Sequence, residues 1–334
     1  MNDFAQSGLI TTLQRLNDSH LASLETALEA SGASIALVLP CHSNDLDRPP
    51  LAHIVEELMP ARFLSEIFVT MNGPDRSATK RAATLFNGFP CPVRVLWNES
   101  DGKGGNVAGA FQIILDERRH EIIATQDCDV ASFRRHDLAR LCMPIAAMGY
   151  QFSKSYYSRA TDRLYGRVTR LFVAPLLQAC TRVLGHHPLL DFLASFRFPL
   201  AGEVAMTAAA ARLLPVAPGW ALELAMLCDV FRTIDPRDVC QVDGGSGYDH
   251  KHQPASTALA EMAGHIAAEL FRQLQIEGLP SGTDARSAIA DAYRSEASHA
   301  LRRSKALAQI NALAYDAQSE QDTVAAFHGQ LSRM

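Results

Sequence analysis

No Cys-x-x-C pair occurs in the chain, although it contains seven cysteines. The absence excludes the common zinc and dithiol motifs, and the scattered cysteines are expected to be reduced, mostly buried thiols rather than a disulfide framework. An excess of basic charge is lacking too: 31 Lys and Arg against 36 Asp and Glu give a net charge of −5. With no basic stripe to release counterions, a bulk nucleic-acid binder is excluded. No apolar run is long enough to span a bilayer, and the N-terminus lacks a basic segment followed by an apolar core. No membrane partner is therefore expected, and a cytoplasmic location is. What is present is ordinary for a globular protein, 48% hydrophobic and 20% charged residues. A length of 334 residues is large for one compact core, so two lobes, or one domain with a large insertion, are expected.

The most informative stretch is Thr125-Gln126-Asp127-Cys128-Asp129-Val130. The residues leading into it, Glu121-Ile122-Ile123-Ala124-Thr125, are rich in β-formers and read as a buried parallel strand. Asp127 and Asp129 then fall just past its C-terminal end, the edge of an open α/β sheet where ligands bind. Two carboxylates one residue apart can share a hard divalent cation, which commonly bridges to diphosphate oxygens. Alone, Asp-x-Asp is more often a solvated acidic turn, and a second copy stands at Asp45-Leu46-Asp47. The companion motifs therefore decide.

Leu13, Leu16, Leu21, Leu24 and Leu28 recur at roughly helical spacing and predict one or two amphipathic helices over 1–33. Strands are expected at 34–40, 67–71, 93–97, 121–125, 150–157, 199–205 and 239–243. Helices are expected at 51–58, at 136–148, from 165 to about 184, opening at 217–223, and throughout the residues after 255. The alternation over 34–125 indicates βαβ units and a parallel sheet.

Several loops between these elements could serve a nucleotide. After the first strand, Asn44 and Asp45 could bond a ribose or base edge while the backbone near Pro40 and Cys41 approaches the ring, although most polar loops only turn the chain. Asn72 ends the second strand in a turn signal. Asp101-Gly102-Lys103-Gly104-Gly105-Asn106 opens a helix. Its glycines admit phosphate, its free N–H groups can bind it and Lys103 adds charge, although a glycine-rich turn reads equally well. Gly166, Arg167 and Thr169 stand at the start of the next apolar helix, where the helix dipole disfavours a cation unless an anion binds there. Glu203 and Glu223 are acids within apolar stretches and need hydrogen-bonding partners, either a sugar hydroxyl or a structural salt bridge. His250 and His252 are candidate metal ligands, a pair more often found on the surface.

In this order the motifs Leu39-Pro40, Gly102-Lys103-Gly104, Asp127-Cys128-Asp129, Gly166-Arg167-Val168-Thr169, Gly202-Glu203, Pro218-Gly219-Trp220-Ala221-Leu222-Glu223 and His250 resemble the glucosyl-3-phosphoglycerate synthase family. These are retaining glycosyltransferases of the GT-A fold, related to the mannosyl-3-phosphoglycerate synthases. The resemblance runs from about residue 34 to 254. It implies a mostly parallel central sheet flanked by helices, with an acceptor subdomain and a helical tail. It also implies that Pro40, Cys41, Asp45, Asn72 and Lys103 hold the nucleoside diphosphate. Asp127, Asp129 and His250 would bind a divalent metal, Mg2+ or Mn2+. Leu200, Ala201 and Gly202 would line the sugar pocket with Trp220, and Glu223 would reach the donor sugar. Gly166, Arg167 and Thr169 would take the acceptor's phosphate, with His252 beside them. Catalytic roles fall to Glu223, Asp129 and Arg167. The chain departs from the family pattern at Ser43-Asn44-Asp45 for Asn-Glu-Glu, at Ala201 for glycine, at Trp220 for tyrosine and at His252 for asparagine.

The expected activity is metal-dependent, retaining transfer of a hexose from a nucleoside diphosphate sugar, UDP-glucose first, to 3-phosphoglycerate or a similar small phosphorylated or carboxylated acid. The same fold with glycerate or another acceptor, or with a GDP-mannose donor, is an alternative. A nucleotidyltransferase and a non-catalytic sugar-nucleotide-binding protein are alternatives of other classes. The expected division is an N-terminal helical segment (1–33), a nucleotide-sugar half (34–130), an acceptor and catalytic half (131–254) and a helical C-terminal region (255–334). A homodimer is expected.

Overall fold

The computed structural model describes residues 6, 8–17, 21–99, 102–215, 219, 221–246 and 257–334. Its strands are β1 (Thr11–Leu13), β2 (Ile35–His42), β3 (Glu66–Asn72), β4 (Val93–Trp97), β5 (Ile122–Thr125), β6 (Phe152–Ser158), β7 (Val204–Thr207) and β8 (Val239–Ser246). They form one sheet in the order β1-β8-β6-β7-β5-β2-β3-β4. β7 runs antiparallel to β5 and β6, and the other pairings are parallel. The GT-A-type α/β architecture expected from the motifs is present.

The apolar runs form strands because they are covered on both faces. Residues Ile35 to Leu39 are all fully buried, which is the signature of a central parallel strand rather than a half-exposed one. One apolar cluster joins Val38, Phe68, Phe172, Leu227 and Phe327. A second joins Leu37, Ile54, Val69, Phe133 and Ala205. Helix Pro49–Leu58 shows how the flanking layer is specified: proline opens it, and Leu51, Ile54, Val55 and Leu58 make the buried stripe. Helix Gly102–Glu117 starts at the C-terminal edge of the sheet and buries Val107, Ala110, Phe111 and Ile114. The C-terminal tail is helical as expected, with helices Thr257–Ile276, Thr283–Ile310 and Ala317–Leu331.

Three local expectations change. Residues 11–13 are a strand rather than part of a helix, because Thr11 and Thr12 pair in parallel with Cys240 and Gln241 on an open sheet edge; the N-terminal helix is confined to Leu21–Ser31. β2 runs to His42, two residues past the expected end at Pro40, so Cys41 and His42 are strand residues opposite Met71 and Asn72 rather than loop. β7 begins only at Val204 and leaves 199–203 as a turn. The helix after Gly166 opens with a wide turn, Val168–Val173, in which the Ala174 N–H reaches the Thr169 carbonyl, before continuing as Ala174–Leu184.

Candidate active site

The C-terminal ends of the central strands open into a cavity of about 1080 Å³. Its wall gathers Pro40, Cys41, Asp45, Asn72, Lys103, Asp127, Asp129, Gly166, Arg167, Thr169, Leu200 and Glu223, residues that lie far apart in sequence. Trp220, His250 and His252, expected at the sugar, the metal and the acceptor, lie outside the described residues. Ala201 is fully buried beneath the wall.

Lys103 is the electrostatic hub. Its Nζ lies 2.6 Å from Asp127 Oδ1 and 2.9 Å from Glu223 Oε1. Burial alone would depress the ammonium's pKa, but the Asp127 and Glu223 carboxylates outweigh it and hold the pKa above the ordinary lysine value. Gly202 makes this geometry possible, since a Cβ there would sit 2.1 Å from Lys103 Nζ and 2.7 Å from both Asp127 carboxylate oxygens. Thr125 fixes the turn by donating its hydroxyl to the Gly202 carbonyl at 2.6 Å. Asn72 Nδ2 donates to the Gly102 carbonyl at 3.2 Å and so ties β3 to the start of the Lys103 helix. In the first-strand loop, Asp45 accepts from the His42 N–H at 3.2 Å, which fixes its carboxylate at the cavity rim.

Glu203 lies behind the cavity wall. It is 1% exposed and accepts from the Tyr157 hydroxyl at 2.9 Å and from Gln126 Nε2 at 3.4 Å. Beneath the same turn Lys154, also 1% exposed, donates to the Ala201 carbonyl. Burial lowers its pKa to about 8, partly offset by Glu223 and Glu203.

On the opposite wall, Gly166 adopts φ +67°, a conformation suited to glycine, and places Arg167 and Thr169 at the cavity. Arg167 is already braced: its Nε lies 3.1 Å from Glu320 Oε1 and its Nη2 donates to Ser319 Oγ at 3.1 Å. Leu259, Met262 and Ile266 close this side with an apolar surface. Sequence reading found no chemistry beyond residue 255, so it missed Glu320 and these three residues, and it also missed Tyr157 and Arg159 on the wall. An apolar helical stripe carries no mark that separates cavity lining from core, and Glu320 becomes meaningful only once its helix is docked.

The expectation of uniformly reduced thiols needs correction. Cys41 and Cys128 are disulfide-bonded, with a Cα–Cα separation of 5.7 Å, while the other five cysteines are free. The cause is register: Val38 pairs with Thr125 across β2 and β5, and three residues further along both chains Cys41 meets Cys128. No sequence spacing reveals such a cross-strand pair.

Among the described residues no group of three His, Cys, Asp or Glu side chains is poised for a metal. Asp127 and Asp129 nonetheless present hard oxygen donors to one cavity, which suits a divalent cation of the Mg2+ or Mn2+ type.

A mostly parallel α/β sheet, with an acidic pair and a helix-borne lysine converging at its ligand-binding C-terminal edge, fits the GT-A class of glycosyltransferases. A glucosyl-3-phosphoglycerate synthase of Persephonella marina is 33% identical over 360 aligned residues, spanning 100% of this chain and 89% of the relative. The chain belongs to the glucosyl-3-phosphoglycerate synthase family. A second glucosyl-3-phosphoglycerate synthase, from Methanococcoides burtonii, is 28% identical over 261 residues, covering 71% of this chain and 64% of that protein. Among solved structures, the Mycobacterium tuberculosis glucosyl-3-phosphoglycerate synthase in complex with Mn2+, UDP-glucose and phosphoglyceric acid superposes with a TM-score of 0.64 at 25% identity, over 83% of this chain and 89% of that one. A second structure of that enzyme, with Mg2+ and UDP, gives a TM-score of 0.61 at 25% identity, over 81% of this chain and 88% of that one. No family model matches the chain.

Proposed function

We propose that this chain transfers glucose from UDP-glucose to the free hydroxyl of 3-phosphoglycerate, with retention at the anomeric carbon and with a divalent cation at the diphosphate. The observation that carries this reading is the convergence of the Asp127–Asp129 pair, Lys103 and Glu223 with Gly166, Arg167 and Thr169 on one cavity. The first group suits a sugar nucleotide and the second suits a small anion. Residues 34–130 supply most of the donor half and residues 131–254 most of the acceptor half, with the helical tail buttressing the acceptor wall. Among the described residues no helix is long and apolar enough to cross a membrane.

Asp127 and Asp129 would hold the cation, with His250 as the third protein ligand, and when bound it would neutralise charge on the departing diphosphate. Lys103, kept charged by Asp127 and Glu223, gives the diphosphate a positioned positive charge. Pro40, Cys41, Asp45 and Asn72 line the nucleoside end, and Leu200 and Gly202 border the sugar. Glu223 accepts hydrogen bonds from donor-sugar hydroxyls. Arg167, Thr169 and the bare backbone of Gly166 hold the acceptor so that its hydroxyl faces the anomeric carbon, which supplies orientation. The new bond forms on the face that the diphosphate vacates, and a departing phosphate oxygen takes the hydroxyl proton.

The test is a donor-by-acceptor matrix, UDP-glucose and GDP-mannose against 3-phosphoglycerate and glycerate, with metal added or chelated and with UDP and glycosylated product both measured. UDP release that needs 3-phosphoglycerate and stops on chelation is expected. Pyrophosphate release from a nucleoside triphosphate would instead identify a nucleotidyltransferase, and binding without turnover a non-catalytic protein. Asp129→Ala should lower the metal-dependent rate by at least about a hundredfold; a wild-type rate in that variant rejects the metal assignment.

A further inference from the structure

We propose that Arg159 is a second anion-binding residue of the acceptor site and engages the acceptor's carboxylate while Gly166, Arg167 and Thr169 take its phosphate; this rests on the acceptor reading above. The acceptor wall is built by a segment that carries four arginines, at 159, 163, 167 and 170. Three of them are paired with acids. Arg163 Nε lies 2.8 Å from Asp162 Oδ2, Arg167 Nε lies 3.1 Å from Glu320 Oε1, and Arg170 is paired with Glu320 as well. Arg159 lines the same cavity, yet among the described residues its side chain makes no hydrogen bond or ion pair; its Nε is covered by protein, while its two terminal nitrogens are not. A guanidinium cannot shed its proton to escape such a position. The unpaired terminal nitrogens of its fork are what this stretch of wall offers to an anionic group in the cavity.

Placement fixes which group that is. The 159–165 loop closes on itself, the Tyr165 N–H donating to the Arg159 carbonyl at 2.8 Å, so Arg159 and Gly166 become neighbours. A Cβ on Gly166 would lie 3.6 Å from Arg159 Cδ and 3.5 Å from the Phe198 ring. The arginine's stem therefore packs against the bare glycine, with Arg167 following directly on its other side. Two guanidiniums flanking one exposed backbone turn suit an acid with two anionic ends. Arg167 and Thr169 belong to the turn read as phosphate-binding, and the planar fork of Arg159 matches the carboxylate that remains.

The experiment compares kcat/KM for 3-phosphoglycerate with that for glycerol 3-phosphate, which keeps the phosphate and lacks the carboxylate, in wild type, Arg159→Met and Arg159→Lys. Wild type should prefer 3-phosphoglycerate. In Arg159→Met that preference should fall by about tenfold to a hundredfold, through a rise in acceptor KM and with the KM for UDP-glucose within about twofold of wild type. Arg159→Lys, which keeps charge and stem but loses the fork, should fall between the two. Its intermediate value is the decisive reading if the methionine variant does not fold. A wild-type preference retained in the Arg159 variants overturns the assignment, as does an equal loss with both acceptors. A wild type that glucosylates neither acceptor overturns the acceptor reading itself, and is thereby distinguished from failure of the Arg159 assignment alone.

Discussion

At Gly202 one added methyl group would displace the Lys103–Asp127 contact. The space a Cβ would need is filled by Lys103 Nζ and both Asp127 carboxylate oxygens. These are ends of flexible side chains, so the fold can yield at modest expense, but the charge cluster cannot keep its geometry. Gly202→Ala should therefore stay within about 1 kcal/mol of wild type in urea unfolding. Its kcat/KM for UDP-glucose should drop about a hundredfold, the scale on which misplaced catalytic groups act. Wild-type kinetics in this variant would mean that the Lys103–Asp127 contact is dispensable. Residues of this kind were legible early: Lys103, Asp127, Asp129 and Glu223 stand out because charges and glycines interrupt apolar runs. Arg159 and Lys154 were not, because a lone cation beside a strand gives no sign of whether it will face water, a cavity or the core.

Between elements, the information lies in register and docking, which the chain encodes only collectively. The strands β2 to β6 and β8 could be read within a few residues, since short stretches carrying β-branched, aromatic or other apolar residues and bounded by turn residues leave little choice. Strand β1 could not, because three residues are too few to set a period and its partner β8 lies at the other end of the chain. The Cys41–Cys128 link has the same origin. Helix Ala317–Leu331 is the clearest case: polar and unremarkable as text, it inserts Glu320, 3% exposed, between Arg167 and Arg170. Removing the carboxylate leaves two partly buried guanidiniums without their counter-charge. Glu320→Gln should accordingly lower unfolding free energy by about 3 kcal/mol, seen as a lower urea midpoint at unchanged m-value. A change below about 0.5 kcal/mol would mean that the helix does not support Arg167 and Arg170.

For the molecule as a whole, the decisive feature is that residues 34–130 and 131–254 contribute strands to one sheet. β7, from the second of these halves, pairs with β5, from the first, and with β6 on its other side. Each apolar cluster crosses the same divide: one runs from Ala36 and Phe68 to Leu227 and Phe327, and the other from Ile35 and Leu64 to Tyr157 and Ala205. Neither half can unfold without exposing the other's core, so the two walls of the cavity are held by one cooperative body rather than by a hinge. Calorimetry should show a single endotherm for the chain. UDP with Mn2+ at about a hundred times its dissociation constant adds about 2.7 kcal/mol. Spread over the unfolding entropy of a protein of this length, that moves the whole transition upward by about 4 °C. Chelation should return the midpoint to its starting value without splitting it, because Lys103, Asp127 and Glu223 also hold one another by direct contact. Two resolved endotherms, with UDP and Mn2+ moving only one, would mean that the halves fold independently and that the shared sheet does not couple them.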